Sequence, residues 1–177
     1  MEAQVTRPST TLVNTTAVAT HSQTVIVVRI PYTMEVVMTY ESRRLAGILL
    51  IVLPTVMFGG MSILSLLIGD PKYMQNPLRQ DLWRAGHAHA GVWLILALVV
   101  LRYVDEASLS SSMKWFVRGS IPIATILVPA AFFLSVLSPG ATAPNGFIYL
   151  AYVGALLLAL GVLVLGVGLI RRPPLSS

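Results

Sequence analysis

Arg84, His87 and His89, in the stretch RAGHAHAG, carry side chains able to ligate a metal or haem iron, hold an anion or move a proton. Imidazole binds transition metals through either ring nitrogen and titrates near neutrality. A guanidinium stays charged and presents a fork of donors. Spacing limits what these three can do together. Residues two apart on a helix point about 200° apart, so His87 and His89 cannot chelate one metal as an i, i+4 pair does. Gln80, Arg84, His87 and Gly91 follow the spacing i, i+4, i+7, i+11 and form a polar-to-small stripe. That stripe is expected to face the interior of a helix bundle, because ionisable groups in membrane helices point inward or into wet cavities. His89 shares another side with Ala85 and Trp93. A purely structural role competes with this, since an arginine near the interface can snorkel.

Met57 and Met61 stand i, i+4 on the preceding apolar segment and present two thioethers on one face. Thioethers suit Cu(I), and a histidine–methionine pair suits haem iron. The candidate metal set is therefore His87 with Met57 and Met61, and the candidate cofactor set is His87, His89 and Arg84. In an apolar helix methionine is otherwise packing material. No catalytic residues are assigned. The chain has no cysteine, no paired carboxylates and no glycine-rich phosphate loop, and Asp70, Asp81, Asp105 and Glu106 fall in loops or at boundaries. Hydrolytic catalysis needs converging acid, base or nucleophile groups, so the sequence leans away from an enzyme.

The elements that must position these groups follow from composition. Hydrophobic residues make up 55% and charged residues 11%, too few charges to clothe a water-facing domain. Four apolar segments reach the roughly 20 residues that a bilayer crossing needs, and backbone satisfaction in lipid makes them helices. The expected class is an all-α integral membrane four-helix bundle, antiparallel, with helices over about 45–68, 77–103, 117–138 and 147–170 inside a domain spanning 41–172. Asn76 as N-cap and Pro77 at the first helical position start the second helix, which puts both histidines on it near its outer end. Residues 173–177 are a short tail.

Seven basic residues (Arg43, Arg44, Arg102, Lys114, Arg118, Arg171 and Arg172) fall on one side, and three (Lys72, Arg79 and Arg84) on the other. Retention of basic residues at cytoplasmic boundaries then places both termini in the cytoplasm. The same retention accounts for the net charge of +5, and no nucleic-acid partner is expected. Residues 1–40 are rich in threonine and valine and lack a helical period; they read as a disordered tail or as an extension ahead of Met38, which opens MTYESRRLAGILL. On the fourth segment Gly154, Gly161 and Gly168 recur every seven residues and Ala151, Ala155 and Ala159 every four, spacings that let helices approach closely. Pro122 and Pro129, seven apart on the third, share a face.

RAGHAHAG followed by VWLILALVV resembles small bacterial membrane proteins with an Arg-x-x-His-Ala-His pattern at the start of a helix, some of which are similar to fragments of haem–copper oxidase subunit I. The resemblance covers about 20 residues. It implies the bacterial cell membrane as location and at most His87 or His89 as one axial ligand, because oxidase haem ligation draws histidines from two or more helices.

Three functions fit these residues. The leading one is a non-enzymatic accessory or structural membrane protein, whose partners are the lipid bilayer and itself or a larger membrane complex. The second is a haem or copper site at the outer end of the second helix. The third is a small-solute or proton pathway with His87 as the titrating group.

Overall fold

The computed structural model describes residues 38–171. The tail expected over 1–40 lies outside them up to residue 37, as do His21 and the 173–177 segment. Four helices are long and apolar enough to cross a membrane, the makeup of a multi-pass membrane protein, and no strand occurs among the described residues.

The first four helices start where a side chain can take up their free N–H groups. Thr39 caps α1 (Tyr40–Gly69), its hydroxyl accepting from the Ser42 N–H at 3.4 Å. Asp70 ends α1 and caps the short α2 (Pro71–Met74), accepting from the Lys72 and Tyr73 amides. Asn76 caps α3 (Pro77–Tyr103), with Pro77 at its first position as the sequence predicts. Ser110 caps α4 (Ser111–Ser135). A 3-10 turn over Gly146–Ile148 leads into α5 (Tyr149–Ile170).

Two helices differ in their bounds from the sequence expectation. The first helix begins at Tyr40 rather than 45, and the third runs over 111–135 rather than 117–138. Hydropathy marks only the apolar part of a helix; the caps at Thr39 and Ser110 add a polar first turn in front of it. At its far end α4 stops ahead of Ser138–Pro139–Gly140, which cannot continue a helix, and Arg79 takes the Val136 and Leu137 carbonyls left free there.

The helices pack as a row rather than around one common axis. α4 lies between α3 and α5, while α1 lies along α3. The core forms from Ala97, Val100 and Val104 of the α3 end, Ala107, Val117 and Ile121 around α4, and Leu165 of α5, with Leu49 of α1 against its edge. In the most apolar stretch of α1 only 6% of residues are buried, against 50% in α4.

The glycine row of α5 forms the closest seam. A Cβ at Gly154 would lie 2.6 Å from Val128 Cγ2, and one at Gly168 would lie 2.5 Å from Leu109 Cγ. A Cβ at Gly161 would overlap Ser120 and Ile121. The expected packing face is therefore used within the chain, against α4 and the turn before it. The alanine row is not: Ala155 and Ala159 are exposed.

Candidate functional site

The two histidines leave α3 toward different neighbours. His87 lies over the glycine pair of α1: a Cβ at Gly60 would come within 2.7 Å of His87 Nε2, and one at Gly59 within 4.0 Å of Nδ1. Gly91, one turn on, faces Val56 of the same helix. Only a residue without a side chain lets an imidazole approach the α1 backbone this closely. His89 points the other way. Its ring meets Trp93 edge-on at 5.2 Å and Phe132 of α4 at 5.3 Å. Its Nδ1 lies 2.7 Å from the Ala85 carbonyl oxygen. A carbonyl can only accept, so Nδ1 carries the proton and Nε2 keeps the lone pair in the neutral ring. A cavity of about 150 Å³, lined by Ala88, His89, Val92 and Trp93, opens beside it.

The remaining sequence-derived candidates fall apart from this pair. Arg84 is exposed and pairs with Asp81 at 2.9 Å, its Nε–H donating to the Gln80 carbonyl. Met57 and Met61 are 65% and 68% exposed, on parts of α1 that α3 does not cover. Nearby polar groups offer the histidines no partner either: Ser62 and Ser65 of α1 donate to carbonyls of their own helix, and Tyr149 and Tyr152 of α5 are largely exposed. Among the described residues no three His, Asp or Glu side chains converge as a metal site. The stripe Gln80–Arg84–His87–Gly91 thus splits. His87 and Gly91 face α1, and Arg84 faces outward. The buried stripe of α3 lies one residue round, through Arg79, Gly86 and Leu94.

Two charge sites escaped the sequence reading. Where α3 turns into α4, Arg118 and Asp105 form a buried ion pair, their side chains 7% and 6% exposed. Arg118 also donates to the Ser42 hydroxyl at 2.9 Å and to Thr39 Oγ1 at 3.0 Å, while the Thr39 N–H donates to Asp105 at 2.9 Å. Lys114 Nζ donates to the Asp105 carbonyl. Burial alone would raise the Asp105 pKa, but the Thr39 N–H, the Arg118 guanidinium and Ser42 outweigh it and hold the carboxyl below its ordinary value. The cluster ties the start of α1 to the α3–α4 turn.

At the start of α3, Arg79 is buried with no carboxylate partner among the described residues. Its Nε–H donates to the Val136 carbonyl at 3.1 Å, and its charge lies 4.4 Å from the Trp83 ring centroid and 5.7 Å from that of Tyr73. Tyr73 is fully buried, its hydroxyl has no partner among the described residues, and burial raises its pKa. The sequence does carry a signal for one of the two arginines. Arg118 continues the i, i+3, i+7, i+10 series Ile121, Thr125 and Val128, all buried. Counting the arginine as a boundary charge hid that pattern. The chain matches no family model, no curated protein and no solved structure.

Proposed function

We propose that the protein is a non-enzymatic accessory or structural subunit of a membrane assembly, and that α1 is the helix that docks. The observation that carries this is the one-sided engagement of α1. A 30-residue helix is anchored by the Arg118 cluster at its start and by Gly60 on His87 further along. Its outer side still presents Ile51, Phe58, Met61 and Ile68, each at least 68% exposed. Helices in lipid associate by close packing rather than by hydrophobic burial, so a helix with one neighbour keeps a full face for another copy or a larger complex. The partner is expected in the same membrane, and the resemblance of RAGHAHAG to bacterial membrane proteins would make that the bacterial cell membrane.

An antiparallel arrangement with both termini cytoplasmic completes the proposal. It is supported by Ser108 N–H donating to the Gly168 carbonyl, by Gly154 lying against Val128, and by the basic bias. Burial removes Arg118 from one side and Arg79 from the other, so that bias survives. With no native cysteine, single cysteines at Thr142 and Ser110 should label from outside and inside respectively.

Photo-crosslinking residues at Ile51 and Met61, with Leu156 of α5 as the control, test the docking role in native membranes. Protein adducts from the two α1 positions and lipid adducts alone from Leu156 are expected. Lipid adducts alone from all three, with a monomeric particle in nanodiscs, would sink it.

A second reading rests on His89. A ring whose Nδ1–H is fixed on a backbone carbonyl is oriented as ligating histidines are, and Nε2 could supply one ligand to haem iron or copper, the rest coming from outside this chain. Absorption and metal analysis of the purified protein test this reading. A Soret band or stoichiometric copper that His89→Ala abolishes and His87→Ala spares would support it. A colourless, metal-free protein would remove it.

A further inference from the structure

A cleft of about 250 Å³ opens between the start of α1 and the start of α4, lined by Tyr40, Glu41, Arg44, Leu45, Ile48 and Trp115. It exists because α1 leans on α3 and is tied to α4 at the Ser42–Arg118 contact. Its walls are graded. Arg44, Glu41, Tyr40 and Trp115 form the polar, aromatic rim, and Leu45 and Ile48 continue one turn further along α1, so the passage from the Arg44 charge to hydrocarbon takes about 6 Å of helix. Tyrosine and tryptophan prefer the headgroup level of a bilayer. Arg44 has no ion pair among the described residues, whereas the neighbouring cations of α4 are engaged, Arg118 by Asp105 and Lys114 by the Asp105 carbonyl.

We infer that this cleft is a specific phospholipid site, with the phosphodiester on Arg44 between Tyr40 and Trp115 and an acyl chain along Leu45 and Ile48. A guanidinium that makes no ion pair among the described residues, even with Glu41 on the same rim, complements a lipid phosphate in charge at headgroup level above an apolar wall, and its fork matches two phosphate oxygens. A free phosphate would leave Leu45 and Ile48 facing nothing apolar, so the occupant is a lipid rather than an inorganic ion. The inference rests on the chain crossing a membrane, but not on what α1 docks against.

Native mass spectrometry of the full chain released from phosphatidylglycerol nanodiscs tests it. One lipid per chain should survive activation that strips the others. Arg44→Gln should lower that retained fraction at least fivefold, and Ile48→Trp, which fills the apolar end, should lower it similarly. Arg43→Gln, which does not line the cleft, should leave it unchanged. All variants should reach the membrane fraction at the parent level, which separates loss of the site from loss of insertion. Equal retention in Arg44→Gln, an equal loss in Arg43→Gln, or displacement by inorganic phosphate would each overturn the assignment.

Discussion

Two arginines of this chain are buried to the same extent, Arg79 and Arg118 at 6% exposure each, and they are held by opposite means. Arg118 meets a carboxylate and two hydroxyls from parts of the chain 13 to 79 residues away. Arg79 meets no carboxylate among the described residues. It sits at the end of α4, where unpaired carbonyls carry the negative pole of the helix, and its faces lie against aromatic rings. One site balances charge with charge. The other spreads a charge over dipoles and π faces, which cost less to desolvate than an ion but attract less strongly. The comparison teaches that neither end of the molecule is held by apolar packing alone, and that the two should fail differently.

The largest difference is expected from Asp105→Ala. Removing one partner of a buried pair leaves the other charge unbalanced, at a cost of about 3–5 kcal/mol. Thermal unfolding in detergent should show the loss, and amide exchange should show it first at Thr39 and Ser42. The double change Asp105→Leu with Arg118→Met should recover most of it, since apolar replacement of a whole buried pair is often neutral. If the double variant is as weak as the single one, the cluster holds α1 by its hydroxyl bonds rather than by the ion pair.

Acid separates the two sites without mutation. Asp105 has its pKa lowered in the folded protein, so its contribution is complete above the unfolded carboxylate value, about 3.9, and is lost as pH falls through the lower folded value. Faster exchange at the start of α1 below pH 4, with the Arg79 end unchanged, is the expected result. An equal response at both ends would mean that the Arg79 site depends on a carboxylate after all.

Arg79→Met should cost less than Asp105→Ala, about 2–3 kcal/mol, because it removes charge-assisted hydrogen bonds and a cation–π contact but strands no opposite charge. Arg79→Lys should recover little: the ammonium keeps the charge and loses the planar stack on Trp83. Full rescue by lysine, read in the same thermal assay, would show that charge at the helix terminus suffices.

How much of this was legible in the sequence depends on period and on partners. The four apolar helices, the Asn76–Pro77 start of α3 and the glycine seam of α5 follow from local pattern; all are present, with the bounds of α1 and α4 shifted by their polar caps. The site was legible only in part. Opposite directions for His87 and His89 follow from their spacing, and they do face α1 and α4. The inward stripe of α3 was placed about 100° off, through Arg84 instead of Arg79. Polarity alone could not choose between adjacent stripes, because each carries an arginine. Which arginine is buried depends on where α4 ends, a fact about a helix 57 residues away. Asp105 likewise reads as a turn residue until Thr39 and Arg118 are brought beside it.

The smallest effect probes how Arg79 is held. Trp83 touches the site twice: its ring lies 4.4 Å from the guanidinium carbon, and its Nε1–H donates to the Phe133 carbonyl at 3.3 Å. Trp83→Phe keeps an aromatic face, weaker toward cations than indole, and deletes the hydrogen bond. The summed cost should be about 1 kcal/mol. Combining it with Arg79→Met divides the two parts. The hydrogen bond to Phe133 is lost in either background, but the cation–π part can be lost only while the guanidinium is present. Trp83→Phe should therefore cost about 0.5 kcal/mol less in the Arg79→Met protein than in the parent, a coupling within the range of contacting residues. Zero coupling would mean that the indole only packs beside Arg79, and that the α4 carbonyls hold the charge by themselves.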